Sequence, residues 1–172
     1  MSISPEHASH IHHINVGFDL TAPDLDPDAV SMCLGVTPHA SARNGDIWRR
    51  SLDGQVLSRH PEGWWHLDST GLLAVAGDAR KDINEHLKAL LAVLLPKRSD
   101  IIAFAQGGEA YFGVVWKSSY LYAGTGPLIE AQHLRGIADL KAGMGFDIYQ
   151  VDDGQECEPD AGGNAAPPRA SA

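Results

Sequence analysis

The sequence predicts an α+β fold, a mainly antiparallel sheet with helices packed on it, and three observations carry that expectation. Ile14, Val16, Phe18 and Leu20 alternate with His13, Asn15, Gly17 and Asp19, the period of a strand with one dry face. Ile83, Leu87, Leu90, Leu91 and Leu94 follow helical spacing and form an apolar stripe able to cover such a face. Between them, the strand signals of residues 47–69 follow one another too closely for crossover helices, so those strands must pair antiparallel. The element order is roughly βαβββαβαβ.

Composition sets the bounds. A chain of 172 residues, 44% hydrophobic and 20% charged, suits one globular core. Thirteen Lys and Arg against 22 Asp and Glu leave a net charge of −9, so nucleic acid is not an expected partner. No apolar run approaches the ~20 residues that span a bilayer, and the first residues lack a basic segment followed by an apolar one. A cytoplasmic protein without a membrane partner is expected. Cys33 and Cys157 are too few for a disulfide framework or a four-sulfur metal site.

The elements follow in order. Residues 1–11 read as a flexible segment and 12–20 as the first strand. Asp26 is placed to cap a helix, Pro27 suits its first position, and Gly35 its left-handed end. Asp53-Gly54 signals a two-residue hairpin turn within residues 47–59, which would set Trp48 opposite Arg59. Residues 64–69 form a strand with Trp65, Leu67 and Ser69 on one face and Trp64, His66 and Asp68 on the other. The leucine helix spans about 79–95, where Pro96 stops or kinks it. A short helix through Ile101, Ile102 and Phe104 follows, then a strand at 110–116 and an extended piece at 120–122. A helix at 128–140 and a strand at 144–151 complete the domain, 12–151. Residues 152–172 hold five acidic residues, three Gly and three Pro with nothing large to bury, and read as a disordered tail.

Asp24-Leu25-Asp26-Pro27, Leu34-Gly35-Val36-Thr37-Pro38, Gly45-Asp46, Trp65-His66-Leu67, the leucine helix and Asp147-Ile148-Tyr149 stand in an order that resembles a bacterial family, domain of unknown function 4279. The resemblance spans roughly residues 12–150. It implies an α+β domain and no reaction, since a fold alone does not supply one.

No motif assembles a catalytic centre. His7, His10, His12 and His13 lack a carboxylate or cysteine at ligand spacing, so neither a metal nor another cofactor is expected. Cys33, beside Val30 and Leu34, reads as a buried structural thiol. The nucleophile elbow G-x-S-x-G is absent, and Gly124-Thr125-Gly126-Pro127 lacks the lysine of a phosphate loop.

Two regions remain. Residues 41–46 form a polar loop in which Arg43 could clamp an anion and Asp46 orient it, or in which Asn44, Gly45 and Asp46 simply make a turn. Trp48 and Trp64 are hard to bury among Arg49, Arg50, Arg59 and His66, and an aromatic and arginine patch is typical of contact surfaces. The expected function is therefore a non-enzymatic binding module, inhibitor-like or immunity-like by analogy. Its candidate contact residues are Arg43, Asn44, Asp46, Trp48, Arg50, Trp64 and His66, with a protein or a small ligand as partner. The alternative is an enzyme on a small polar or phosphorylated substrate, with Asp46 or His66 as acid or base and Arg43 as anion clamp.

Overall fold

β1 (Ile11–Ala22) is the middle of the sheet, and its alternation decides which side becomes the core. Around it stand β2 (Ala40–Ala42), β5 (Gly63–Asp68), β6 (Glu109–Ser118) and β7 (Gly143–Gln150), in the order β2-β5-β1-β6-β7. β3 (Ile47–Arg49) and β4 (Val56–Arg59) pair separately as a two-stranded ribbon. The helices are α1 (Pro27–Leu34), α2 (Ile83–Leu94), α3 (Arg98–Phe104) and α4 (Ala131–Asp139). This computed structural model describes residues 11–49, 55–73, 77–119 and 126–151. Every pairing in the main sheet is antiparallel except β6 with β7, which are parallel and joined through α4. The fold is α+β, as the sequence predicts, and the described residues hold one more strand and one more helix than the order βαβββαβαβ contains.

One face of the sheet is dry. Val16, Phe18 and Leu20 from β1, Trp65 and Leu67 from β5, and Phe112, Val114 and Trp116 from β6 are buried in one cluster. Ile83, Leu87, Leu90, Leu91 and Leu94 of α2 close over it, joined by Val30 and Leu34 of α1, Ile101 of α3 and Ile137 of α4. Phe18 and Phe112 meet at 5.0 Å between ring centroids, tilted by 55°, which suits their quadrupoles. Trp65, wholly buried, keeps its indole satisfied by donating from Nε1 to Ser31 Oγ on α1 at 3.0 Å.

Local chemistry explains the boundaries. Asp26 caps α1 by accepting from the Asp28 amide, and Gly35 ends it at φ 68°. α2 begins at Ile83 rather than near residue 79, because Asp82 caps it through the Asn84 amide and Gly77–Lys81 turns as a 3-10 segment. Pro96 falls in a 3-10 turn, Leu95–Lys97, from which α3 resumes.

Three expectations change. Trp48 stands opposite Ser58, and Arg59 pairs with Ile47, one residue out of the predicted register, with an irregularity between Trp48 and Arg49. Residues 40–42 are a short strand rather than loop, pairing Ala40 with His66 and Ala42 with Trp64. Cys33 is half-buried, and burial with the neighbouring Asp100 pushes its thiol further from ionising. The Asp53-Gly54 turn, Arg50, the extended 120–122 piece, Gly124-Thr125, residues 1–10 and the acidic tail lie outside the described residues.

Several polar groups inside are paired, whereas Trp116 Nε1 is buried with no hydrogen-bond partner among the described residues. Asn84 uses its whole amide, accepting at Oδ1 from the Glu130 amide and His133 Nδ1 and donating from Nδ2 to Leu128 O and Asp82 Oδ1, so it pins α2 to the start of α4. His86 donates from Nε2 to Arg80 O at 2.7 Å, leaving Nδ1 to accept from Ser69 Oγ at 2.7 Å. This serine–histidine contact is closed to any substrate, with Ser69 at 0% and His86 at 1% exposure. Burial lowers the His86 pKa and keeps the ring neutral.

The packed stripe yields a direct test. Leu87→Ala, at a site with 0% exposure, should cost about 2–5 kcal/mol through lost burial and a cavity. Lys88→Ala, on the exposed side, should change stability by less than about 0.5 kcal/mol. Denaturant unfolding of both variants checks the contrast, and equal effects would mean that α2 packs by another face.

Candidate functional site

The pleat that buries Phe18 and Leu20 sends Asp19 and Gly17 to the opposite face, away from the helix-packed core. Register then decides the neighbours. Asp19 lies across from His66 of β5 on one side and Tyr111 of β6 on the other, and Gly17 lies between Asp68 and Gly113.

Asp19 organises this surface. Its Oδ1 accepts from Trp64 Nε1 at 2.8 Å and from His66 Nδ1 at 2.9 Å. A side chain at position 17 would forbid the arrangement, since a Cβ there would lie 2.4 Å from His66 Cε1. The imidazole sits over the glycine backbone with Nδ1 committed and, among the described residues, no bond to Nε2. Burial disfavours its charged form, but its bond to Asp19, the charge of Asp19 and that of Asp68 outweigh burial, so the pKa of His66 is raised. Asp68 is also partly buried, yet donors from Thr70 and Asn15 hold its carboxyl below the ordinary range.

The rings continue as a column. Trp64 stacks on His66 at 5.9 Å and 27°, and His60 stacks on Trp64 at 5.9 Å and 9°. Trp48 tilts against His60 at 5.9 Å, and His39 meets the other end edge-on at 6.1 Å. Trp48, His60, Trp64 and His66 are each half-buried, so part of each ring meets solvent. Backbone bonds fasten the ribbon that carries Trp48: Gly45 N to His60 O at 2.8 Å and His60 N to Asp46 O at 2.9 Å.

The structure thus brings Trp48, Trp64 and His66 together through His60. Arg43, Asn44 and Asp46 do other things. The Arg43 guanidinium forks onto Asp26 at 2.8 Å and Asp28 at 2.6 Å, which ties the turn to the start of α1. Asp46 Oδ2 accepts the Arg43 amide at 2.8 Å, and Asn44 donates to Pro23 O at 3.2 Å. Gly45, at φ 86°, and the Arg59 bond to Gly45 O complete a tight turn.

Asp19, His60, His39 and Tyr111 belong to the site without having been singled out in the sequence. Asp19 carried a usable signal, an acid on the polar side of an otherwise apolar strand, but its partners depend on register. Among the described residues no group of three or more His, Cys, Asp or Glu is placed to hold a metal ion. No helix among them is long and apolar enough to cross a membrane.

A family model, the domain of unknown function DUF4279, matches residues 12–151, and the chain belongs to that family. No curated protein and no solved structure matches it.

The Asp19–His66 bond has a measurable sign. A histidine whose pKa is raised on folding adds stability below its ordinary value of 6.5, and that increment fades as pH rises through the folded pKa. Histidine titration by NMR should place His66 above 6.5, and Asp19→Asn should lower it. A midpoint that ignores Asp19→Asn would dissolve the pair as an electrostatic unit.

Proposed function

We propose that this DUF4279 protein is a binding module of the bacterial cytoplasm that takes a protein or small ligand on the uncovered face of its sheet. The observation that supports this is the column of Trp48, His60, Trp64 and His66, four half-buried rings of which Asp19 fixes two. Aromatic rings held in place before contact lose little rotamer freedom on binding, and such rings dominate the energetics of interfaces. His66 adds a polar atom for direction, its Nε2, since Nδ1 and the Trp64 indole N–H are already bonded to Asp19.

A second reading rests on His66 alone. A ring oriented through Nδ1 by a carboxylate, with Nε2 unbonded among the described residues, has the form of a general acid or base. The companions that an enzyme needs do not converge with it: Arg43 is spent on Asp26 and Asp28, and Asp46 on the turn amide. Binding is therefore the better-supported function.

Fragment titration followed by NMR tests it. Planar ring fragments should shift the indole N–H resonances of Trp48 and Trp64, and Trp64→Ala should weaken those fragments about tenfold or more, the loss of one aromatic anchor. Fragments that collect instead in the shallow groove of Arg98, Ile102, Asp139 and Lys141 would move the site to the opposite layer.

A further inference from the structure

β7 ends the sheet, and nothing about it discourages another strand. It is eight residues long, carries no Pro or Lys, and has one charge, Asp147. Phe146 is 41% exposed, Ile148 50% and Tyr149 51%. No described strand pairs with its outer edge. The other edge, β2, is only three residues long and offers far less to pair with.

The register shows which groups face outward. Val151 donates its amide to Ser118 O at 3.1 Å, so odd-numbered residues of β7 direct their backbone toward β6. In a parallel ladder the alternate residues then point the other way. Met144, Phe146 and Ile148 therefore present both N–H and C=O to the outside, and they also carry the apolar side chains of the strand.

We propose that β7 pairs antiparallel with β7 of a second copy of this chain, about a two-fold axis at Phe146. That register sets Met144 opposite Ile148 and Phe146 opposite its equivalent, three outward pairs that exchange about six backbone bonds. On the other face Asp147 lies opposite Gly145 and Tyr149 opposite Gly143, large beside small with no like charges in contact. Moving the axis one residue to Asp147 would bring two carboxylates face to face, which is unfavourable. Moving it to Ile148 would set Gln150 against Phe146 and lose apolar pairing. Moving it back to Gly145 would leave only two outward pairs within the strand, so the register about Phe146 is the most complementary of these, as an isologous dimer requires. A two-fold normal to the sheet keeps both uncovered faces on one side, so ten strands present two aromatic columns on a continuous surface.

Sedimentation of the full chain tests the pairing. Wild type should sediment at twice the 18.4 kDa of one chain. Ile148→Pro removes an outward donor while sparing the bonds to β6, and Phe146→Lys sets two cations at the axis. Both should sediment as single chains with unchanged circular dichroism. A wild-type monomer, or a dimer that persists in both folded variants, would overturn the proposal. Amide exchange gives an answer even if the variants do not fold: the outward N–H groups of Phe146 and Ile148 should exchange slowly in wild type, and rapid exchange would contradict the dimer.

Discussion

The sheet has two faces, and the helices supply apolar cover for one. β1 runs through the middle with partners on both sides, so the burial of Val16, Phe18 and Leu20 constrains three strands at once. A slip of one residue would turn every one of these side chains into water, which makes the register far more costly to change than any single contact. The opposite face inherits that register. Asp19 meets His66 and Tyr111 because Phe18 must meet Leu67 and Phe112.

The two faces divide the energetics. Each fully buried Leu, Ile or Phe contributes ~1.5–3 kcal/mol relative to exposure, and the core holds many of them. A stacked aromatic pair contributes only ~0.5–1.5 kcal/mol beyond its burial. The column of Trp48, His60, Trp64 and His66 can therefore vary without threatening the fold, provided that Asp19 and Gly17 keep His66 seated. Stability is placed on the helix side, which leaves the other side free to specialise. The polar pins, Asn84 between α2 and α4 and Ser69 to His86 beneath the end of β5, add position rather than much net energy.

Much of the core was legible in the chain. The dry face of β1, the stripe of α2, the caps of α1 and the alternation of Trp64 with Trp65 all follow from local spacing, and the family resemblance rested on the order of those same pieces. Legibility stopped where partners are set by pairing. Nothing local distinguishes Trp48 opposite Ser58 from Trp48 opposite Arg59, since a single irregularity in the ribbon changes the register. Residues 40–42 form a strand only because β5 offers them an edge. Arg43 looked available to a ligand because Asp26 and Asp28, fifteen or more positions earlier in the chain, meet it only after α1 has formed. The site was half visible for the same reason: its aromatic members announced themselves, whereas Asp19, the residue that orients two of them, is an ordinary polar position until the strands align.

The claim that one face is closed and the other open can be measured on two adjacent residues. Trp64 and Trp65 differ by one position and point to opposite sides, with Trp65 at 0% exposure beneath α1 and Trp64 half-buried in the column. Hydroxyl-radical footprinting read by mass spectrometry should oxidise Trp64 and Trp48 readily while Trp65 and Trp116 stay protected. Protection of Trp64 equal to that of Trp65 would show that both faces are covered, and would contradict the account.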